Sequence, residues 1–143
     1  MQILKNVAFC LGLILLNACS GTGVRDYSYV APVINSDEKG KVFVHRDSGW
    51  IGGGALFTVT VNGATVGHLG ADEMLIADAK TGSNLVQATV TGIQGVGLNS
   101  PSSEFQNDGT SNNFFLQRLK SGLFKNEMTL METSEETWRA QTQ

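Results

Sequence analysis

The sequence predicts an all-β fold, an antiparallel β-sandwich of about seven strands that ends in a short helical turn. Three observations lead to this prediction. Short runs that alternate β-branched or aromatic residues with polar ones recur from residue 41 onward, turn-forming residues separate the runs, and no long stretch has the 3.6-residue period of an amphipathic helix. The 143 residues provide room for one domain.

The first predicted strands surround a hairpin turn. Alternation predicts a strand over 41–46, a glycine-rich loop over 47–54 and strands over 56–61 and 64–69. Asn62-Gly63 predicts a type I′ turn, because both residue types accept positive φ. A two-residue turn fixes the facing pairs: Val61–Ala64, Val59–Val66, Phe57–His68 and Thr60–Thr65. We therefore expect one apolar face, which contains Phe57, Val59 and Val66, and one polar face.

Further strands are predicted over 74–77, 84–91, 114–119 and 127–131. Residues 92–112 predict a loop that is longer than an ordinary hairpin connection. Thr133 and Glu136 stand at the spacing of a capping box, which predicts a helical turn through Trp138.

The first eighteen residues are typical of an export signal. Lys5 is the only charge in this segment, and the run from Val7 to Leu16 is an unbroken apolar stretch of ten residues. Ten residues fit the apolar region of a signal peptide, whereas a membrane-spanning helix needs about 20. We therefore predict a signal peptide over residues 1–18.

The signal is followed by Leu16-Asn17-Ala18-Cys19, which resembles the lipobox of bacterial lipoproteins. This resemblance implies that the thiol of Cys19 takes a diacylglyceryl group and that the freed amine takes a further acyl group such as palmitate. Cys10 leaves with the signal, so Cys19 has no partner for a disulfide. An alternative stays open, because Ala18-Cys19-Ser20 also offers the small residues that an ordinary signal peptidase needs to cut after Ser20.

Ser20 follows the predicted acylated cysteine. Resemblance to the Gram-negative sorting pattern implies that a residue other than aspartate here directs the lipoprotein to the periplasmic face of the outer membrane, or to the cell membrane if the envelope has only one. Several acyl chains, each contributing about 0.8 kcal/mol per buried CH2, make such an attachment stable. We therefore predict membrane lipid as a partner of this chain.

Residues 19–40 are predicted to be the acylated cysteine and a flexible tether. Glycine, serine and scattered charge dominate this segment, which could reach about 70 Å when fully extended. The alternation at Tyr27–Val30 leaves a short extra strand as an alternative. The sandwich domain is then expected to span 41–143.

Four sequence stretches resemble a domain of unknown function found in small bacterial lipoproteins: VFVHRDSGWIGGG, FTVTVNGATVGHL, NNFFLQRLKSG and LMETSEETW. Members show an Arg-x-Ser-Gly turn, a V-x-V-(D/N)-G-x-x-V-G hairpin and a later aromatic pair, whose place Phe114-Phe115 takes. The match covers 41–139 and implies a PEGA-like or immunoglobulin-like sandwich with no established activity. One departure is Thr81-Gly82, where members often carry Pro-Gly.

Catalysis is not predicted. His45, Asp47, His68 and Asp72 could be imagined as metal ligands, but histidines at strand positions are more often partly buried and hydrogen-bonded. The hairpin pairing would turn His68 toward the apolar side. The glycine-rich segments 49–54 and 92–97 lack the lysine and helix start of a phosphate loop. We predict no catalytic, cofactor-binding or metal-binding residue, and hence no enzyme and no cofactor.

Two functions are then considered. The first is a non-enzymatic interaction or structural module of the cell envelope, which binds an unidentified envelope protein through Trp50 and Ile51 of the glycine-rich loop. The alternative is a periplasmic ligand- or glycan-binding sandwich. Trp50 could instead cover the core as a lid. A net charge of −3 without a basic cluster argues against a nucleic-acid partner.

Overall fold

Two four-stranded sheets pack face to face in the computed structural model, which describes residues 21–49, 54–91, 97–123 and 125–143. The predicted all-β sandwich is therefore confirmed. The described residues form eight strands: β1 Lys41–Arg46, β2 Phe57–Val61, β3 Ala64–Leu69, β4 Met74–Asp78, β5 Gly82–Val90, β6 Ser102–Asn107, β7 Asn113–Ser121 and β8 Asn126–Thr133. They also form a 3-10 helix over Tyr27–Tyr29 and two α-helices, α1 over Ala31–Ile34 and α2 over Glu135–Thr142.

The strand order is β4-β1-β7-β8 in the first sheet and β3-β2-β5-β6 in the second sheet. Neighbouring strands are antiparallel except for β1 and β7, which are parallel. We call the end of the sandwich where β1 finishes and β4 starts the upper end. The Asn62-Gly63 turn lies at the opposite, lower end. The loops after β1, β3, β5 and β7 all belong to the upper end.

The hairpin of β2 and β3 confirms the predicted turn, since φ is 52° at Asn62 and 81° at Gly63. The predicted pairs Val61–Ala64 and Thr60–Thr65 are also found. Beyond them a β-bulge inserts Val66 as an extra residue, so the pairs predicted for Val59 and Phe57 are wrong. The partners of these two residues are Gly67 and Leu69. The bulge also corrects the expected orientation of His68, whose ring is directed to the polar outer face beside Thr58.

A strand occurs where the sequence predicted only a loop. Strand β6 lies inside the segment 92–112 and pairs with β5 from Gly82–Asn107 to Gln87–Ser102. It is an edge strand, in which only Phe105 and Asn107 are buried. Polar residues occupy its other positions, which hides the alternating pattern of a strand in the sequence.

The segment 21–40 is not a flexible tether, so that prediction is wrong for these residues. Val24 pairs with Met74 of β4, and the side chains of Val30 and Ile34 are fully or almost fully buried. Tyr27–Tyr29 forms a 3-10 helix, which also overturns the alternative of an extra strand. This segment packs over the outer face of the first sheet, because that face is itself apolar and needs cover. In the described residues the folded domain thus begins at residue 21 and not at 41.

Helix α2 covers the same outer face from the C-terminal side. Its N-cap is Ser134, whose hydroxyl accepts from the Thr137 backbone N–H at 3.2 Å. The predicted cap was one residue too early, because Thr133 still pairs with Phe114 in β8. Trp138 is fully buried, and its indole Nε1 donates to the carbonyl of Phe115 at 3.1 Å. None of the helices in the described part of the chain is long and apolar enough to cross a membrane.

Two apolar clusters result from this three-layer arrangement. The larger one lies between the sheets and includes Phe57, Val59 and Phe115, with Val66 partly buried against it. The second lies between the first sheet and the helices: Val30, Ile34, Phe43, Met74, Phe114, Leu116 and Trp138. Phe43 stacks on Phe114 with ring centroids 5.1 Å apart, and Trp138 packs against both rings. The first sheet is therefore buried on both faces.

Candidate functional site

The residues that the sequence predicts for lipid attachment and for partner binding lie outside the described residues. These are Cys19 and Ser20 at the predicted attachment point, and Trp50 and Ile51 in the glycine-rich loop. The structure shows where their described neighbours lie. Strand β1 ends and β2 begins at the upper end, so the loop between them leaves and re-enters the sandwich there.

Gly21 is fixed at the same end. It lies so close to the connection between β3 and β4 that an added Cβ would collide with the Glu73 carboxylate and the backbone of Gly70. The next residue, Thr22, donates its backbone N–H to the His68 carbonyl at 2.7 Å, and its hydroxyl accepts from the His68 N–H at 2.8 Å. The chain that follows Cys19 and Ser20 therefore joins the upper end directly.

Arg25 and Glu73 fasten this entry segment to the sandwich. The Glu73 carboxylate is almost fully buried and accepts from the Gly70 N–H at 2.8 Å. Its other oxygen lies 3.6 Å from Nη2 of Arg25, and Arg25 Nε donates to the carbonyl of Ala71 at 3.3 Å. The N-terminal segment is thus held to the β3–β4 connection by side-chain contacts as well as by backbone pairing.

Arg46 joins strand ends inside the sandwich. Its guanidinium lies 4.0 Å from the centroid of the Phe57 ring and donates to the carbonyls of Ala55 and Leu69. Burial lowers the pKa of Arg46 to about 10, although Asp47 and Glu73 oppose this shift. The side chain therefore stays cationic at neutral pH and ties the ends of the β1–β2 and β3–β4 connections together.

Gln117 lies beside Arg46 on the inner face of the first sheet. The two residues are register partners in the parallel pairing of β1 with β7. The Gln117 side chain is fully buried, and neither its amide nitrogen nor its amide oxygen has a hydrogen-bond partner among the described residues. The interior of the upper end is thus polar, unlike the apolar interior below it.

The buried His45 pairs with the exposed Asp72 on the outer face of the first sheet. Its Nε2 lies 3.1 Å from Asp72 Oδ1, and its ring lies edge-on to Trp138 with centroids 6.2 Å apart. Burial lowers the pKa of His45 below its usual 6.5, and this outweighs the raising effect of the Asp72 carboxylate. Asp72 lies in the β3–β4 connection and adopts a positive φ of 59°, and in this conformation its carboxylate reaches His45. His45 is therefore a neutral, hydrogen-bonded core histidine at neutral pH.

His68 is also hydrogen-bonded, as predicted, and its partner is a hydroxyl group where that of His45 is a carboxylate. Its Nδ1 lies 3.0 Å from the Thr58 hydroxyl, which in turn lies 2.6 Å from the Thr91 hydroxyl. The two histidines thus lie on the outer faces of different sheets. Within the described ranges, no three His, Cys, Asp or Glu side chains form a group that could hold a metal ion.

The hairpin of β7 and β8 extends beyond the rest of the first sheet. Pairing with β1 ends at Gln117, whereas β7 and β8 stay paired up to Ser121 and Asn126. The four further residues of β7 extend about 13 Å at 3.3 Å per residue. Asn99 supports this arm, because its side-chain amide exchanges two 2.8 Å hydrogen bonds with the backbone of Met128. We call residues 118–123 and 125–128 the β7–β8 arm.

The tip of the β7–β8 arm is apolar at its centre and basic at its flanks. Leu123 is 97% exposed, more than Tyr29 at 71% and the other large apolar residues on the described surface. Lys120 and Lys125 are also exposed. The arm carries three basic residues and one acidic residue. A fully exposed leucine between lysines is the exposed apolar feature that the sequence analysis did not single out.

An open cleft lies at the lower end. It has a volume of about 370 Å³ and is lined mainly by polar residues: Lys39, Thr110, Ser111, Asn112, Phe114, Thr133, Ser134 and Glu135. Phe114 is the aromatic residue in this lining, and it is almost fully buried in the outer cluster. A glycan site uses exposed aromatic faces, so this cleft does not favour the alternative of a glycan-binding domain.

Comparison with known proteins leaves the activity unassigned. No family model matches the chain, and no curated protein matches it. The NMR structure of a protein from Eubacterium rectale is similar at a TM-score of 0.45 and 14% sequence identity, and the match covers 71% of this chain and 95% of that one. The resemblance to a domain of small bacterial lipoproteins stays a prediction.

Proposed function

We propose that this chain is a lipid-anchored, non-enzymatic protein of the bacterial cell envelope, acylated on Cys19, whose sandwich is an interaction or structural module. The observation that carries the proposal is the sequence Leu16-Asn17-Ala18-Cys19 directly after an apolar run of ten residues. Ser20 then directs the acylated protein to the periplasmic face of the outer membrane, and the partner is an envelope protein.

The position of the domain supports this proposal. Removal of residues 1–18 takes away none of the described elements, since the first contacts of the fold begin at Gly21 and Thr22. An acylated Cys19 would therefore be followed almost at once by a domain that keeps its described contacts.

Three buried polar side chains of the described residues have contacts that hold the fold together, which supports a non-enzymatic role. Arg46 binds backbone carbonyls at the strand ends, and Glu73 accepts from a backbone N–H and lies near Arg25. His45 is held by Asp72 against Trp138. Each of these contacts holds two parts of the fold together.

The experiment is acyl labelling of Cys19 in a Gram-negative host. Wild-type protein should incorporate a clickable palmitate analogue, and its N-terminal peptide should have the mass of a processed, lipid-bearing Cys19. Cys19→Ser should abolish labelling and leave an uncleaved precursor or a soluble periplasmic form. Ser20→Ala is the matched control, which should keep the label, whereas Ser20→Asp should keep it and move the protein to the inner membrane.

The mass of the same N-terminal peptide also distinguishes acylation of Cys19 from cleavage after Ser20. A mature N-terminus at Gly21 would show cleavage after Ser20 by an ordinary signal peptidase. That result, or an unmodified Cys19, would contradict the proposed anchoring.

A further inference from the structure

We propose that the upper end of the sandwich is a membrane-contact surface, on which the tip of the β7–β8 arm inserts Leu123 into the headgroup region of the same bilayer that holds the acyl chains. The inference rests on the proposed acylation of Cys19. Its occupant is the lipid bilayer, and three independent features of the structure lead to it.

The first feature is the short distance between the anchor and the fold. Cys19 precedes Gly21 by two residues, which span at most about 7 Å. Gly21 is packed against Gly70 and Glu73 at the upper end. The acyl chains of Cys19 would therefore enter the membrane within about 7 Å of this end. The sandwich then rests on the membrane surface, because the tether that would hold it away is part of the fold.

The second feature is a second contact point at the same end. The entry segment lies at the β4 edge of the first sheet, and the β7–β8 arm lies at the opposite edge. Three strand spacings separate β4 from β8, which is about 14 Å. The arm extends past β1 toward the same side as the anchor. An anchor at one edge and an arm at the other would fix the orientation of the sandwich on the bilayer.

The third feature is the chemistry of the arm. Leu123 is 97% exposed, whereas Tyr29, Leu85 and Met131 are 71%, 40% and 41% exposed. A leucine at a hairpin tip enters the boundary between headgroups and acyl chains, and flanking lysines extend their ammonium groups to lipid phosphates. Lys120 and Lys125 occupy those flanking positions. Asp47, an acidic residue of the upper end, lies 3.7 Å from Arg118, which reduces its repulsion of an anionic surface.

The experiment measures lipid contact at single positions of the full acylated chain. Mature wild-type protein would have Cys19 as its only cysteine, and acylation blocks its thiol. Leu123→Cys and Ala64→Cys each then add one reactive thiol, at the arm tip and at the exposed lower end. Both variants are labelled with the fluorophore NBD. They are reconstituted into vesicles of phosphatidylethanolamine and phosphatidylglycerol, with or without doxyl-labelled lipid as a quencher.

We expect doxyl lipid to quench the label at position 123 by about twofold or more, since a group at headgroup depth lies within contact of the quencher. Quenching at position 64 should stay below about a tenth of the signal, because the lower end faces away from the membrane. Both substitutions replace exposed side chains, so folding is expected to be intact in both proteins.

Each other outcome decides against the inference in a distinguishable way. If both acylated proteins float with the vesicles but position 123 is quenched no more than position 64, the membrane contact is wrong and the anchoring stands. If mass spectrometry shows an unmodified Cys19 and neither protein floats, the proposed function fails and the contact surface fails with it. A label at position 123 that is shielded before vesicles are added would indicate a protein partner at this tip and would also overturn the inference.

Discussion

The contact between the N-terminal segment and the sandwich can be tested at Ile34. This residue belongs to α1 and its side chain is 2% exposed, although the sequence predicted that it lies in a flexible tether. Ile34→Ala removes three carbon atoms from the outer cluster beside Val30 and Trp138. If the segment is packed, this substitution lowers the free energy of unfolding; if the segment is a free tether, it leaves that free energy nearly unchanged.

The expected loss can be worked from the burial of the side chain. Three buried carbon groups at about 0.8 kcal/mol each amount to about 2.4 kcal/mol. A cavity adds to this cost, but a single helical turn can settle into the space, so we expect a decrease of about 2–3 kcal/mol in the free energy of unfolding. Tyr29→Ala is the matched control in the same segment, because Tyr29 is 71% exposed and its loss should cost no more than about 0.5 kcal/mol.

The assay is urea unfolding of a soluble chain of residues 20–143, with tryptophan fluorescence as the recorded signal. Trp138 is a suitable reporter because it lies in the same cluster as Ile34. Equal, small changes for Ile34→Ala and Tyr29→Ala would show that the segment is a tether after all. That result would also remove the fixed position of Gly21 on which the membrane contact depends.

Two further predictions concern the sandwich itself. Phe57 is fully buried between the sheets, so Phe57→Ala should cost about 3–5 kcal/mol in urea unfolding, whereas Thr60→Ala on the outer face should cost no more than about 1 kcal/mol. Equal losses would contradict the assignment of inner and outer faces. The pKa of His45 is lowered by burial, so the unfolded chain binds more protons than the folded chain just below pH 6.5. Stability should therefore fall as the pH drops from 7 through 6.5, and His45→Gln should flatten this slope; an unchanged slope would show that His45 is not its source.

The parts of the fold that could be predicted are those that local sequence specifies. Asn62-Gly63 determines its own turn through the positive φ of both residues. The bulge at Val66 could not be predicted in this way, because it depends on which side chain of β3 fits between the sheets. Strand β6 was missed because an edge strand needs only one row of buried residues, and Phe105 alone gives too weak a signal.

The third layer has a signal in the sequence. Val42-Phe43-Val44 and Phe114-Phe115-Leu116 are continuous apolar runs, which are typical of strands that are buried on both faces. Two such runs in one domain indicate that a further layer must cover the outer face. Val30, Ile34 and Trp138 are the apolar residues that supply this cover. Neither segment shows this role when its own sequence is considered alone.

The candidate site could be predicted only in part for the same reason. Cys19 is identified by a local pattern, and its neighbours in sequence are sufficient to propose its chemistry. The proposed membrane contact of Leu123 depends on where β1 ends and on where Gly21 packs against the sandwich. Both are properties of the folded chain. Turn residues between two strands gave no indication that the turn lies beyond the rest of the sheet.

The parallel pairing of β1 with β7 determines when the chain can fold. Val42 pairs with Asn113, so the centre of the first sheet joins the first strand to the seventh, and Trp138 then closes its outer face from the last helix. Contacts between residues so distant in sequence require large loops to close first, which slows folding. A chain that emerges from a ribosome with its N-terminus first can pair β1 with β4 early, but the other edge of β1 stays unpaired until β7 has followed. The topology therefore delays completion of the first sheet until nearly all of the chain is available to fold.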